Sequence, residues 1–184
     1  MSSSALSDLS GADLWDAIAA GAAAESSLWG DALRPSADRA PEPVFSPLAD
    51  ERFRLGLETI YEGYLVHYGT PRLFEAPDPD TALLLGDYLY AHGLVRIANV
   101  GDVGAVSDLS ELISLCSQLR AEDTEGDAAL WAATAALLGR GSLDEPRASL
   151  RLHGDARALD AAARAAAGDD AVERARAAHL GRVG

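Results

Sequence analysis

Apolar residues recur along most of the chain at the three- and four-residue spacing of helices that bury one face. The first such pattern lies in residues 11–33, where the spaced apolar positions are Leu14, Trp15, Ile18 and Ala22. It predicts one helix, followed by a second short one. Because an amphipathic helix has to cover its apolar face, we expect these residues to pack against other helices.

The next two patterns predict longer helices. One runs from about residue 49 to residue 67, and Gly69-Thr70-Pro71 ends it, since a residue that precedes proline avoids helical angles. The other runs from about residue 80 to residue 99 and is apolar on nearly every side, which predicts a central, buried helix. Gly86 and Gly93 lie seven residues apart on one face of it. Two glycines so placed permit close contact with another helix.

The C-terminal half contains four further helical patterns. Asp102 can cap the first, whose apolar stripe is Val106, Leu109, Ile113 and Cys116. The acidic residues 122–127 separate it from a second helix that begins near residue 129, with Thr124 and Asp127 resembling a cap. A Gly-Pro break at 139–146 precedes two alanine-rich helices, near 155–167 and 169–180. The fold class that we predict is all-α, with about seven helices.

Proline marks the predicted domain organisation. Residues 34–48 contain four of the eight prolines, and proline disrupts helix interiors, so this stretch is predicted to be a linker. It divides an N-terminal helical arm, residues 1–33, from a helical domain, residues 49–184. We expect the arm to pack with that domain as one unit.

Charge excludes several classes of function. All 15 basic residues are arginine, and the net charge is −14, so the chain should repel nucleic acid and anionic membranes. The single cysteine, Cys116, allows no internal disulfide and no cysteine cluster for zinc. Neither a secretory leader nor an apolar run long enough to span a membrane is recognisable. These features predict a cytoplasmic protein.

Four stretches, in the same order along the chain, resemble the polyprenyl diphosphate synthase family, the trans-prenyltransferases of the isoprenoid synthase fold. GDALRP at 30–35 resembles the GKRLRP element of that family, and LETIYEGYLVHYG at 57–69 resembles its LELIHTASLIHDD run. ALLLGDYLYAHGLVRIA at 82–98 is similar to its AVLAGDYLLARAFELLA helix, and ALWAATAALLGRG at 129–141 weakly resembles the helix that begins KTAALF. The resemblance implies an abridged isoprenoid-synthase-like bundle.

The groups that perform the family's chemistry are missing from the resembling stretches. Family members ionise an allylic diphosphate with Mg²⁺ that aspartates hold on a helix face. Asp31 stands where the family has a lysine, and Tyr61 stands where it has a histidine. Tyr68 and Gly69 replace the first two aspartates of its Asp-rich motif. The resemblance therefore implies no catalytic residue, no metal ligand and no cofactor.

A remnant ligand site can still be assigned from the resemblance. It consists of the residues at the family's diphosphate and cavity positions, which are Arg34, Tyr61, His67, Tyr68 and Asp87. Asp87 is predicted to be buried beside a main-chain group or an arginine, either Arg54 or Arg72. His92 is predicted to be a hydrogen-bonded core residue.

Three functions remain open on the sequence. The first is a catalytically degenerate polyprenyl-synthase-like protein, acting as a partner or regulatory subunit or binding a prenyl ligand, and forming a homodimer or a heteromer with a full-length synthase. The second is a divergent active prenyltransferase whose Mg²⁺ is held by Glu58, Glu62 or the acids of residues 122–127, although a solvated Arg54–Glu58 pair is favoured. The third is a small helical adaptor that docks through Trp15 and Trp29.

Overall fold

The fold is all-α, as predicted. The computed structural model describes residues 11–183, and within them nine α-helices form, with no β-strand beyond an isolated bridge between Leu33 and Phe74. The helices are α1 (Gly11–Glu25), α2 (Ser27–Asp31), α3 (Arg54–Tyr68), α4 (Pro79–Asn99), α5 (Val103–Ala121), α6 (Asp127–Ala136), α7 (Asp144–His153), α8 (Arg157–Ala167) and α9 (Asp169–Val183).

The structure differs from the sequence prediction in the start of one helix and in the presence of an additional one. Helix α3 begins at Arg54, because the preceding residues form two short 3₁₀ turns, Ser46–Leu48 and Glu51–Phe53. Helix α7 was not predicted: it begins inside the Gly-Pro break predicted at 139–146 and continues through residues to which no helix was assigned. Its proline, Pro146, lies in the first helical turn, where the missing N–H would have no partner within the helix. Asp102 caps α5 as predicted, but Gly126 rather than Thr124 precedes α6.

Helices α3 and α4 form the closest helix pair, and glycines set their distance. A Cβ atom added to Gly93 of α4 would lie 2.4 Å from Cγ1 of Ile60 on α3. One added to Gly63 of α3 would lie 2.9 Å from the carbonyl oxygen of Gly86 on α4. Such approaches are closer than van der Waals contact, so these positions accept only glycine at the present spacing. The predicted role of Gly86 and Gly93 is confirmed.

The core has two parts. One lies between α3, α5, α6, α8 and α9, and the other lies between α1, the first half of α4 and the loop at Leu73 and Phe74. The stretch predicted as a linker takes part in the first: Phe45 is fully buried and its ring stacks on Trp131 with centroids 5.6 Å apart. Within the described residues, no helix has the length and apolar character needed to cross a membrane.

The prediction that the helix at 80–99 is buried on nearly every side is wrong. Leu83 and Leu84 are each 56% exposed, and Val95 is 58% exposed. The buried side of α4 faces α3, α1 and α5, with Leu85 and Leu89 toward α1 and Tyr90 and Ile97 in the core part that includes α5. An apolar helix face therefore stands open on the surface.

Candidate functional site

A buried arginine neutralises two acids of α3. Glu58 and Glu62, one helical turn apart, are fully buried, and so is Arg72 from the loop that follows α3. Nε of Arg72 donates to Oε2 of Glu62 at 2.8 Å, and Nη1 donates to Oε2 of Glu58 at 2.5 Å. Burial opposes the charge of Arg72, but the two carboxylates outweigh it and raise its pKa. We call these three residues the Arg72 triad.

Main-chain groups and aromatic rings complete the Arg72 triad. Oε1 of Glu62 accepts the N–H groups of Arg72 at 2.8 Å and Leu73 at 2.7 Å. The guanidinium carbon lies 4.5 Å from the ring centroid of Trp15 and 5.0 Å from that of Tyr61. A Mg²⁺ ion at these carboxylates would have to displace Arg72.

The predicted solvated pair between Arg54 and Glu58 is therefore wrong. Arg54 instead contacts Oε1 of Glu51, at 3.3 Å, near the start of α3. The i to i+4 spacing made the predicted pair possible, but Glu58 points into the core, where Arg72 reaches it from outside the helix.

A second buried network joins α3, α5, α6 and α9. Oη of Tyr61 lies 2.9 Å from Nδ1 of His179, and Nε2 of His179 lies 3.3 Å from Oδ2 of Asp127. The hydroxyl of Tyr64 and the guanidinium of Arg120 also donate to Asp127. We call these five residues the buried polar cluster. Its contacts connect α9 to α3, α5 and α6.

The electrostatics of the buried polar cluster keep Asp127 ionised. Burial by itself would raise the pKa of Asp127, but hydrogen bonds from His179 and Tyr64 and the charge of Arg120 lower it well below its usual range. Burial raises the pKa of Tyr61, and burial together with the Asp127 charge raises that of Tyr64. Both phenols are therefore neutral hydrogen-bonding groups near pH 7.

Aromatic rings fill the space around this cluster. Phe45 and Trp131 lie 5.3 Å and 5.0 Å from the ring of Tyr61, and Trp131 lies 5.5 Å from that of Tyr64. Tyr61, predicted as part of a remnant ligand site, is fully buried in this packing. A ligand can reach it only if the core rearranges.

His67 and Asp87 form a polar pair where α3 ends against α4. Nε2 of His67 lies 3.3 Å from Oδ1 of Asp87, with side chains 10% and 67% exposed. Burial lowers the pKa of His67, and the attraction of Asp87 only partly offsets that effect. The imidazole is therefore neutral near pH 7, with its Nε2 beside the Asp87 carboxylate.

The prediction that Asp87 is buried beside Arg54 or Arg72 is wrong. A helix turns by about 100° per residue, so Asp87 leaves the face that its neighbour Gly86 buries against α3. It stands on the solvent side of α4 with His67 as its partner.

The structure brings only some of the other predicted site residues close together. The Tyr68 ring lies 5.5 Å from the His67 ring and 5.2 Å from that of Tyr64, so His67, Tyr68 and Asp87 adjoin the buried polar cluster. Arg34 does not join them: its Nε donates to the Phe74 carbonyl at 3.0 Å, and its Nη1 lies 3.4 Å from Glu75. His92 is hydrogen-bonded as predicted, with Nδ1 2.9 Å from the hydroxyl of Tyr88, but it is only partly buried.

Sequence reasoning did not find His179, and it gave Arg72 and Asp127 other roles than the ones they have in these networks. One signal for His179 was present. It follows Val172 and Ala175 at the spacing of one helix face, and all three are buried. Arg72 gave no such signal, because it lies in a loop whose path depends on tertiary structure.

The open face of α4 carries exposed apolar side chains that make no core contact within the described residues. It comprises the exposed apolar residues of this helix, and we call it the α4 stripe: Leu83, Leu84, Ala91, Val95 and Ala98. Asp80 and Asp87 are exposed on the same side. Exposed aliphatic side chains arranged along one helix are typical of a surface that another molecule covers.

Comparison of the chain with family models, curated proteins and solved structures finds no match. Among the described residues, no three His, Cys, Asp or Glu side chains converge in the way that a metal ion requires.

Proposed function

We propose that this protein is a binding subunit, catalytically degenerate and polyprenyl-synthase-like, that holds another protein on the α4 stripe. The observation that carries the proposal is the exposure of Leu83, Leu84 and Val95 on one helix. That helix is also the one whose sequence most resembles the synthase family. Covering these side chains would remove apolar surface from water, which is the main driving force of protein association.

The internal partners of the acids support a function without metal-assisted ionisation. Glu58 and Glu62 are paired with Arg72. Asp127 is in contact with Tyr64, Arg120 and His179. These three acids are among the six carboxylates of the prenyltransferase alternative, which comprises Glu58, Glu62 and the four acids of residues 122–127. Their present contacts serve the stability of the fold.

The same structure favours docking on α4 over two other versions of the function. A prenyl ligand between α3, α6 and α9 would have to displace the rings of Phe45, Tyr61 and Trp131. Docking through the arm would use Trp15 and Trp29, but Trp15 is buried against Arg72, and Trp29 stacks on Tyr88 with centroids 5.8 Å apart. Their packing leaves α4 as the better-supported docking surface.

Light scattering and an activity assay test the proposal together. The wild type, alone and mixed with a full-length polyprenyl diphosphate synthase, should form a dimer or a mixed complex that Leu84→Glu disrupts. Leu152→Glu is the matched control, because Leu152 is 72% exposed on α7. Circular dichroism should show that both variants remain folded.

Two results would contradict the proposed function. One is a wild type that stays monomeric and does not bind the synthase. The other is release of diphosphate by the purified protein from an allylic diphosphate, isopentenyl diphosphate and Mg²⁺.

A further inference from the structure

We propose that the partner covers the α4 stripe with a cationic amphipathic helix. This inference rests on the proposed function and adds to it the chemistry of the partner. It follows from the shape of the stripe and from the sign of the charges within it.

The shape of the stripe matches a helix. Leu84, Ala91, Val95 and Ala98 follow one another on one side of α4 and span 15 residues, which is about 21 Å of helix axis. The small side chains of Ala91 and Ala98 let a second backbone approach closely, while Leu84 and Val95 form ridges that fit between side chains of the partner. A partner helix of about four turns would cover this length.

The charged side chains within the stripe are all of one sign, because the helical period places Asp80 and Asp87 on the same face as Leu83, Leu84 and Ala91. Asp80 and Asp87 are exposed, seven residues apart, so their Cα atoms are separated by about 10.5 Å along the axis. The one arginine of α4, Arg96, turns inward and donates to Oγ1 of Thr59 at 2.9 Å and to the carbonyl of Ala17 at 3.0 Å. The exposed side of α4 therefore offers carboxylates and no cation.

Charge complementarity indicates which kind of molecule covers the α4 stripe. A second copy would bring another chain of net charge −14, with the same two aspartates, against this face. A partner helix with Lys or Arg seven residues apart among the apolar residues of its docking face would place cations opposite Asp80 and Asp87. Such pairs at an interface accelerate association and determine which partners bind.

The probe for a direct test is a fluorescein-labelled model peptide of about 18 residues, with leucines on one helix face and lysines seven residues apart among them. Fluorescence anisotropy with the full-length protein should detect binding that weakens as NaCl is raised. A scrambled peptide of the same composition, without an apolar face, should bind at least about tenfold more weakly, because it cannot cover the stripe.

Matched variants assign the binding to this surface. Leu84→Glu/Val95→Glu should abolish peptide binding, and Asp80→Lys/Asp87→Lys should weaken it by at least about tenfold. Glu122→Lys/Glu125→Lys makes the same change of charge at exposed positions before α6 and should change the affinity less than about twofold. Circular dichroism checks that each variant is folded.

The possible outcomes test the cationic helical partner separately from the proposed function. If the leucine and valine variant loses binding but the aspartate variant does not, α4 docks a helix and the cationic partner is overturned. A wild-type dimer that Leu84→Glu dissociates overturns it as well, because a second copy then occupies the stripe. If neither α4 variant affects binding, or if the scrambled peptide binds equally well, the inference fails, and the light-scattering experiment decides the proposed function independently.

Discussion

At the scale of single residues, the most consequential contact is the one that brings Arg72 into the core. An arginine without exposure is tolerated because Glu58 and Glu62 supply opposite charge and main-chain groups satisfy the remaining acceptors. Removing one partner from such an arrangement leaves the other charges buried without compensation. The Arg72 triad is therefore the place where a single substitution should have the largest effect.

We expect Arg72→Met to lower the free energy of unfolding by about 3–5 kcal/mol, the usual loss when one member of a buried ion pair is removed. Urea denaturation of the wild type and the variant measures the difference. Arg151→Met is the control, because Arg151 pairs with Glu111 on the surface with side chains 39% and 48% exposed, and it should lose less than about 1 kcal/mol. Equal losses of unfolding free energy in the two variants would show that the buried carboxylates do not need Arg72.

His67 should make stability depend on pH. Its pKa in the folded protein lies below the ordinary value of 6.5, chiefly because of burial, so the unfolded chain binds the proton more readily than the folded one. As the pH falls from about 6.5 toward the lowered pKa, the folded state should lose stability, whereas above about 6.5 the contribution of His67 is constant.

His67→Gln should therefore reduce the loss of stability between about pH 7.5 and pH 5.5. Urea denaturation at both pH values measures the loss, and a titration of His67 followed by NMR checks the direction of the pKa shift. His92, whose pKa is also lowered, contributes a second loss that should persist in the variant. An unchanged pH dependence in His67→Gln would contradict the assignment.

Residue-level prediction from sequence succeeded where the partner was near in the chain and failed where it was distant. The cap at Asp102 follows from a local rule. The partner of Glu58 does not, because Arg72 lies 14 residues away and reaches it only through the path of a loop. The resemblance identified positions of interest such as Tyr61 and Asp87 but not their surroundings, since burial depends on how the helices pack.

At the scale of helices, the glycine contacts between α3 and α4 hold the architecture together. The spacing of Gly86 and Gly93 predicted a close approach, and the structure shows that Gly56 and Gly63 complete it from α3. The number of helices was harder to predict. Helix α7 has only two buried residues, Arg147 and Leu150, and the first of these needs Asp108 of α5 as a partner, so its sequence offers only one buried apolar position.

Adding one methyl group at the α3–α4 contact should destabilise the protein. Gly93→Ala gains helix propensity of up to about 1 kcal/mol, but its Cβ would meet Ile60 at 2.4 Å and the Gly56 carbonyl at 3.0 Å. Overpacking of this kind costs about 1–3 kcal/mol and should outweigh the gain. Thermal and urea unfolding measure the net effect.

Gly181→Ala provides the contrast for the same substitution. Gly181 lies in α9, and a Cβ added there meets nothing within 4 Å, so only the propensity gain of up to about 1 kcal/mol remains. We expect Gly93→Ala to lower the midpoint of unfolding and Gly181→Ala to raise it. Stabilisation by both would mean that α3 and α4 can separate at no cost.

At the scale of the whole molecule, the surplus of negative charge opposes folding. There are 29 acidic residues against 15 arginines, and compaction brings their like charges together. The buried pairs, Arg72 with its two glutamates and Arg147 with Asp108, lie where salt screens little. Many of the surface pairs are more than a quarter exposed and contribute little each. Screening should therefore weaken the repulsion more than the attraction.

Raising NaCl from about 20 mM to about 500 mM should accordingly raise the midpoint of thermal unfolding, since the Debye length falls from about 20 Å to below about 5 Å. Calorimetry at fixed pH measures the slope of the midpoint with salt. Glu122→Lys/Glu125→Lys moves the net charge toward zero by four and should make that slope smaller, which separates screening of the surplus charge from any general effect of salt on apolar burial. A midpoint that falls with salt would mean that the surface ion pairs outweigh the repulsion, and the acidic surface would then stabilise this fold through its arginines.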